Sequence, residues 1–148
     1  MTDLHRATGD QLSAATLYAL LMLRVDIFVV EQRCPYPELD GRDLRPDTVH
    51  WWWQPGAEPV AYLRVLGEPG GGVRIGRVCT AVPARGTGLG GRLMAAALAE
   101  IGPRDVVLDA QVRAQGLYQR FGFEPVGEPF DEDGIPHITM RRSPSSAR

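Results

Sequence analysis

The apolar residues of this chain follow two spacings, one typical of helices and one typical of strands. Residues 14–30 are apolar on more than one helical face, which predicts a buried helix. Residues 49–53, 59–66 and 73–80 are rich in β-branched and aromatic side chains and are joined by turns that contain Gly and Pro. These three segments are therefore predicted to be consecutive antiparallel strands. Residues 106–110 begin with three apolar side chains, as expected of a central strand.

Weaker patterns complete the predicted order of elements. Residues 4–7 have the pattern of a short first strand, and Thr8 or Asp10 can cap the helix that follows. A second helix ends at Gly102. A third helix and a closing hairpin are predicted at residues 113–121, 124–130 and 135–140. Helices and antiparallel strands in this order indicate a mixed α/β sheet of the α+β type, which is neither a helical bundle nor a pure βαβ array.

A glycine-rich segment joins the strand at 73–80 to the second helix. Gly86, Gly88 and Gly90 alternate with other residues, and Gly91 follows directly. The first amides of a helix have no partner within it and lie at the positive end of its dipole, which together favour an anion. Glycines also let a bulky phosphate approach the backbone, because no Cβ atom is in the way. The segment therefore predicts a phosphorylated ligand.

Composition narrows the class of protein. The 148 residues are 44% hydrophobic and 23% charged, as in an ordinary globular domain, and we expect one domain over residues 1–142 with a disordered tail at 143–148. A net charge of −2 gives no electrostatic reason to expect nucleic acid or an acidic membrane as a partner. Cys34 and Cys79 are expected to be reduced thiols of a cytoplasmic protein. No cluster has the spacing of metal ligands, so no metal is expected.

Three classes of glycine loop compete for the segment. A Walker loop needs Lys followed by Ser or Thr, whereas Arg92 and Leu93 follow the glycines here. The dinucleotide-binding pattern fits literally, and Asp109 stands about 20 residues on, where a ribose-binding acid is expected. In that fold, however, the first glycine closes the strand directly, and here residues 81–85 intervene, including Pro83.

The third class accounts for the arginine before the glycines. The sequence of residues 85–90, Arg-Gly-Thr-Gly-Leu-Gly, resembles the pyrophosphate loop of the GCN5-related N-acetyltransferase (GNAT) superfamily. Residues 118–123, Tyr-Gln-Arg-Phe-Gly-Phe, are similar to a second motif of that superfamily. The resemblance extends to the ElaA-like branch and covers roughly residues 15–140. Further segments that carry it are residues 23–32, 34–36, 38–41, 48–50 and 133–138.

The resemblance implies a GNAT-like fold and acetyl-CoA as the cosubstrate. That fold has six to seven mostly antiparallel strands that splay apart in the middle, and about four helices. The pantetheine arm is expected to pair with the backbone of Val78, Cys79 and Thr80, where an amide polarises the thioester oxygen. The residues expected to hold the diphosphate are Arg85, Gly86, Thr87, Gly88, Leu89, Gly90 and Gly91. Gln111 stands where the superfamily often has an Asn that bonds the pantetheine amide. Gln has the same donor and acceptor groups on a longer side chain.

The resemblance also implies a role for Tyr118, as a hydrogen-bond donor to the departing thiolate. Complete proton transfer from a phenol to a thiolate is uphill by about 2 kcal/mol at ordinary pKa values. Deprotonating a lysine-like acceptor at pH 7 costs about 4.6 kcal/mol, so a general base is expected. The candidate bases are Glu31, His50, Asp109 and His137. Three of these residues also have a purely structural interpretation: Glu31 as a partner of Arg24, His50 as a strand-edge residue, and His137 as a residue of the closing strand.

The acceptor site is expected beside the loop at residues 35–43. Tyr36, Glu38, Asp40 and His137 are the predicted substrate-binding residues, and the acids favour either a cationic substrate or a solvated loop. The leading prediction is transfer of an acetyl group to a primary amine of a small molecule or a protein, with a homodimer possible. One alternative is an enzyme like the autoinducer synthases, which the spacing of Arg24 and Phe28 resembles. The other is a non-catalytic sensor of acyl-CoA.

Overall fold

One seven-stranded sheet organises the computed structural model, which describes residues 3–144. The strand order in the sheet is β1-β2-β3-β4-β5-β7-β6. The strands are β1 (Leu4–Thr8), β2 (Val49–Trp53), β3 (Ala61–Gly67), β4 (Val73–Thr80), β5 (Val106–Gln111), β6 (Glu124–Glu132) and β7 (Ile135–Arg142). The helices are α1 (Ala14–Val25), α2 (Leu89–Ile101) and α3 (Gln115–Gln119). A π-helix (Asp26–Glu31) continues α1, and short 3₁₀ turns precede α2 (Val82–Ala84) and α3 (Val112–Ala114).

Five of the six strand pairings are antiparallel, and the sixth opens the sheet. β4 and β5 are parallel and pair only at Val73 with Val106 and at Arg74 with Val107. Beyond these two pairs the strands continue without pairing each other. The prediction of a mostly antiparallel mixed sheet that splays in the middle is therefore confirmed.

Each face of the sheet buries one layer of helix. Because side chains alternate along a strand, Leu63 and Tyr62 of β3 point to opposite faces. Leu63 packs with Leu93 and Met94 of α2 in the larger core cluster. Tyr62 packs with Leu20 of α1 and with other apolar residues in the smaller cluster. The helix predicted at 14–30 thus covers one face, and the helix after the glycine loop covers the other.

The first helix differs from its prediction at both ends. Its N-cap is Ser13, whose Oγ accepts a hydrogen bond from the Thr16 amide at 3.1 Å, so the predicted caps were wrong. Thr8 belongs to β1 instead, and its hydroxyl donates to Asp10 at 2.5 Å. At the other end the α-helix stops at Val25 and the chain continues as the π-helix. The apolar spacing does not distinguish these two helical forms.

One expectation concerns the C-terminal end of the chain. The tail predicted at 143–148 falls largely on residues 145–148, which lie outside the described residues. Within residues 3–144, none of the helices combines the length and the apolar character that crossing a bilayer requires.

Candidate active site

A cavity of about 840 Å³ lies where β4 and β5 cease to pair. Its walls come from the second half of β4, the π-helix, the loop after it, α3 and the turn between β6 and β7. Many of the predicted site residues line it, namely Glu31, Tyr36, Val78, Cys79, Thr80, Arg85, Gly90, Gln111, Tyr118 and His137. The splayed strands therefore bring together residues that are more than 100 positions apart in the sequence.

A β-bulge shapes the wall that β4 provides. Tyr62 pairs with Cys79 and Arg64 pairs with Gly76, so two residues of β4 lie opposite Leu63 alone. Arg77, the first of the two, has a φ of +54°, which is unusual for a residue with a side chain. A bulge leaves an extra residue unpaired and turns the strand. Backbone groups of β4 at this point are consequently free of the β3 ladder and lie beside the cavity.

The glycine loop forms the outer end of the site. Gly86 and Gly88 adopt left-handed backbone conformations, with φ values of +80° and +82°. Gly88 is the N-cap of α2, so the amides of the first turn point out of the helix towards the loop. Gly90 reaches the cavity lining. The other predicted loop residues, Gly86, Thr87, Gly88, Leu89 and Gly91, lie beyond the lining, and the Thr87 hydroxyl donates to the Ala84 carbonyl at 2.6 Å.

Glu31 lies beside this loop rather than beside Arg24. Arg85 donates one hydrogen bond to each carboxylate oxygen of Glu31, both at 2.7 Å, and its Nε donates to the Thr80 carbonyl at 2.8 Å. The hydrogen bond from Arg85 lowers the pKa of Glu31 below its ordinary value. The interpretation of Glu31 as a partner of Arg24 is therefore wrong. A carboxylate held in this way is also a weak base.

Two buried groups in the cavity wall keep their protons. Tyr118 is 7% exposed and packs edge-on against Phe123 with ring centroids 6.2 Å apart. Burial, and then the neighbouring Cys79, raise the pKa of Tyr118 to about 12. Burial is also the main reason that the pKa of Cys79 rises to about 12. Tyr118 is thus equipped to donate a hydrogen bond, and Cys79 is poorly suited to act as a nucleophile.

His50 is enclosed within the sheet and does not line the cavity. Its Nε2–H donates to the Asp43 carbonyl at 2.8 Å, and its Nδ1 accepts from the Tyr62 hydroxyl at 2.5 Å. Burial lowers the pKa of the imidazole. Both ring nitrogens are occupied, so His50 has no free lone pair for a substrate. Its interpretation as a strand-edge residue is wrong, because β2 lies between β1 and β3.

The acids of the loop at 35–43 bind arginines of the protein itself. Arg24 is fully buried and contacts Glu38 and Asp43, each at 2.7 Å. Arg64 bridges Asp43 and Asp40. Burial of Asp40 opposes its ionisation, but hydrogen bonds and charge from Arg64 outweigh burial and lower the pKa of Asp40. Glu38 and Asp40 therefore hold the loop in place, and neither is part of the cavity lining.

Arg77 joins the same group of charges to the cavity. Its Nε donates to Glu38 at 2.8 Å, and its guanidinium lies over the Tyr36 ring, 5.7 Å from the centroid. The Tyr36 hydroxyl in turn donates to Glu38. Burial, and then the Glu38 carboxylate, raise the pKa of Tyr36. Tyr36 faces the cavity with this support behind it.

Asp43, Arg64 and Arg77 belong to no motif that the sequence displays. One signal was available, because Arg64 interrupts a strand that is otherwise apolar and is only 2% exposed. A buried arginine requires anionic partners, but the sequence does not identify them, because Glu58 and Glu68 lie nearer to Arg64 along the chain than Asp40 and Asp43 do. Among residues 3–144, no group of three or more His, Cys, Asp or Glu residues is arranged to hold a metal ion.

Comparison with known proteins gives consistent results across sequence and structure. A family model described as an acetyltransferase (GNAT) domain matches residues 29–144. The UPF0039 protein Rv2851c of Mycobacterium tuberculosis is 49% identical over 147 residues, which cover 96% of this chain and 94% of that protein. The crystal structure of Escherichia coli ElaA is 42% identical in sequence and has a TM-score of 0.90. The match covers 97% of this chain and 100% of that chain.

Two further structures are similar to this chain. An acyl-CoA N-acyltransferase from Pseudomonas aeruginosa is 44% identical with a TM-score of 0.90, and 97% of this chain matches its full length. A CoA-dependent acyl-homoserine lactone synthase, BjaI, is 20% identical with a TM-score of 0.76 over 99% of this chain and 86% of the synthase. At that identity the second likeness concerns the fold alone.

Proposed function

This chain belongs to the family of acetyltransferase (GNAT) domains, in the branch of ElaA and the UPF0039 proteins, and we propose that it transfers an acetyl group from acetyl-CoA to a primary amine. The observation that carries the proposal is the cavity between β4 and β5. It is open beside a bulged strand and extends to the glycine-bearing N-terminus of α2. Acetyl-CoA has a thioester at one end of the pantetheine arm and a diphosphate at the other. The thioester would fit beside the bulged strand, and the diphosphate would fit at the N-terminus of α2.

The residues proposed to hold coenzyme A lie along this path in order. Amides of residues 86–91 and two remaining N–H groups of Arg85 would bind the diphosphate. The backbone of β4 from Val78 to Thr80 would pair with the pantetheine amides, and Gln111 would reach them from β5. Gly90 supports this assignment because a Cβ built there meets only the Leu117 side chain, at 3.8 Å, so the backbone is open to a ligand.

The acetyl thioester supplies the reactive carbonyl, and the chain supplies the groups around it. A backbone amide at the β4 bulge would donate to the thioester oxygen as negative charge develops there. The Tyr118 hydroxyl would donate to the sulfur as it departs. The acceptor amine attacks directly, without an acyl-cysteine, since burial keeps the Cys79 thiol protonated.

The acceptor would approach from the side of the sheet that carries α1 and the loop at 35–43. Tyr36 and His137 are the predicted acceptor-site residues that line the cavity there. Since arginines already neutralise Glu38 and Asp40, we propose that these two acids shape the wall rather than bind the substrate's charge. We place the reaction in the cytoplasm, where acetyl-CoA is available.

An amine screen tests the proposal. The protein is mixed with acetyl-CoA and each of spermidine, lysine, an aminoglycoside and a peptide with a free N-terminus, and released thiol is followed. Calorimetry with coenzyme A is run in parallel. Thiol release that depends on one amine supports the proposal. Coenzyme A binding without release from any amine favours an acyl-CoA sensor, and reaction only with acyl-carrier-protein donors favours a synthase.

A further inference from the structure

We infer that His137 is the general base of the proposed acetyl transfer and that its Nε2 takes a proton from the acceptor's ammonium group. The inference rests on the function proposed above. It selects one of the four bases that the sequence leaves open, and it does so on the geometry of the closing hairpin.

The strand register places His137 on the acceptor side of the sheet. In β7 the neighbouring residues Ile138 and Met140 point into the core beneath α2, so His137 and Thr139 point to the other face. His137 pairs with Gln111 across β5 and β7, and both residues line the cavity. Gly76 of β4 lines the cavity as well, and a Cβ built on it would meet no atom within 4 Å. His137 therefore belongs to the wall of the cavity.

The surroundings of His137 fix which nitrogen is free. Nδ1 lies 2.7 Å from the Ile135 carbonyl oxygen, which can only accept a hydrogen bond, so the proton of the neutral ring is on Nδ1. Nε2 consequently carries the lone pair. The ring is 12% exposed and stacks on Phe130 with centroids 6.1 Å apart and planes inclined by 26°. Position and tautomer are thus set before any substrate arrives.

Glu132 lies near the ring without occupying the lone pair of Nε2. Its Oε2 is 3.6 Å from Nε2, beyond hydrogen-bond distance. The arrangement leaves the acceptor atom free for the substrate.

The other candidate bases have partners that occupy them. Glu31 is held by Arg85 through both oxygens. His50 uses both ring nitrogens inside the sheet. Asp109 accepts from Arg74 at 3.0 Å and from the Thr139 hydroxyl at 2.8 Å. Among these four residues, only His137 combines a place in the cavity lining with a basic atom that accepts no hydrogen bond from the protein.

The proton balance is complete with groups already named. Nε2 of His137 takes one proton from the ammonium, and the neutral nitrogen then bonds to the thioester carbon. As the C–S bond breaks, the second amine proton reaches the thiolate through Tyr118 or solvent. The imidazolium returns its proton to solvent. The products are the acetylated amine, free coenzyme A and one proton.

Two variants test this role, His137→Gln and His137→Ala, with His5→Gln as the matched control. His5 is exposed on β1, stacks on Trp52 and does not line the cavity. Activity is measured with whichever amine of the panel gives the highest turnover. We expect kcat to fall about 100-fold in both His137 variants, with coenzyme A affinity by calorimetry and Tm unchanged. Added imidazole should restore part of the activity of His137→Ala only.

The outcomes separate this inference from the function on which it rests. Absence of thiol release by the wild-type protein with every amine overturns the proposed function and this role together. An active wild type with an equally active His137→Gln variant overturns only the role of His137. Loss of activity that imidazole does not restore, or loss of coenzyme A affinity in the variants, assigns His137 a structural role and also overturns the inference.

Discussion

Arg85 and Glu31 form two parallel hydrogen bonds of 2.7 Å that join the glycine loop to the π-helix. Both side chains are about 40% exposed, so the pair contributes less than about 1 kcal/mol to folding. Its consequence is geometric. With Nε bound to the Thr80 carbonyl, three of the five guanidinium N–H groups are engaged and two remain for an anion. In the proposed complex with coenzyme A, Glu31 would position Arg85 for a contact with the diphosphate.

The first prediction follows from this pairing. Glu31→Gln should keep turnover within a few-fold of wild type, because the Arg85 hydrogen bond lowers the pKa of Glu31 and makes it a poor base. Arg85→Ala should weaken coenzyme A binding about tenfold, the effect of losing a charge-assisted hydrogen bond. Steady-state kinetics and calorimetry on the two variants check these effects. If Glu31→Gln instead lost about 100-fold in turnover while keeping its coenzyme A affinity, Glu31 would be identified as the base.

The glycine at position 90 supplies a second prediction. Gly90→Val should reduce coenzyme A affinity at least tenfold, because its side chain fills the space at the cavity lining that the diphosphate arm needs. The fold should tolerate the change, since a Cβ there makes only an ordinary contact at 3.8 Å. Calorimetry and Tm measure the two effects separately.

Gly116→Ala in α3 is the matched control for Gly90→Val. A Cβ at Gly116 meets no atom within 4 Å, and the residue is helical and outside the cavity lining. Replacing a helical glycine by alanine stabilises by about 0.5–1 kcal/mol, so Tm should rise while coenzyme A affinity stays the same. Equal affinities in the two variants would contradict a diphosphate site at Gly90.

Tyr118 supplies a third prediction. Tyr118→Phe should lower kcat about tenfold and leave coenzyme A affinity unchanged, because only the hydroxyl is removed from a buried ring. Since the pKa of Tyr118 is raised to about 12, the hydroxyl keeps its proton over the whole assay range. The pH–rate profile of the wild type should therefore show no descending limb from Tyr118 below about pH 11. Unchanged turnover in the variant would remove Tyr118 from the mechanism.

The sequence predicts the strands better than it predicts the partners of charged side chains. Alternation and turn residues place β2 and β4 at the bounds the structure has, Val49–Trp53 and Val73–Thr80. The bulge at Arg77 could not be predicted in this way, because it depends on the register of β3 against β4. A local sequence pattern describes one strand, whereas a bulge is defined by how two strands pair.

The same limit applies to the site. The glycine loop and Tyr118 are recognisable because each lies within a short motif. The loop acids Glu38 and Asp40 looked available to a cationic substrate, yet Arg24, Arg64 and Arg77 bind them from positions 14 to 39 residues away. His137 is the opposite case, a side chain with a free nitrogen. Its Nδ1 bonds the Ile135 carbonyl, which leaves Nε2 free, and the pairing of β7 with β5 brings the residue to the cavity. Which charges are free is therefore decided by the tertiary fold.

The fourth prediction concerns stability and its dependence on pH. Arg24→Met should destabilise the protein by about 3–5 kcal/mol, because it leaves Glu38 and Asp43 buried without their shared cation. The control is Arg141→Ala, which breaks an exposed pair with Asp105 at 2.7 Å and should leave the free energy of unfolding nearly unchanged. Urea unfolding at pH 7 measures both. A cost for Arg24→Met no greater than the control would show that Arg77 and Arg64 suffice to neutralise the loop.

The pH dependence of the Arg24→Met defect follows from the pKa of Asp43. Burial of this carboxyl raises its pKa, but hydrogen bonds and charge from Arg24 and Arg64 outweigh burial and lower it. A carboxyl whose folded-state pKa is depressed stabilises the protein above its unfolded value of about 3.9, and this contribution is lost as pH falls through the folded-state pKa. Wild-type stability should therefore decline below about pH 4. The difference from Arg24→Met should narrow over the same range, because a protonated carboxyl no longer needs the arginine; a difference that stays constant down to pH 2 would contradict this assignment.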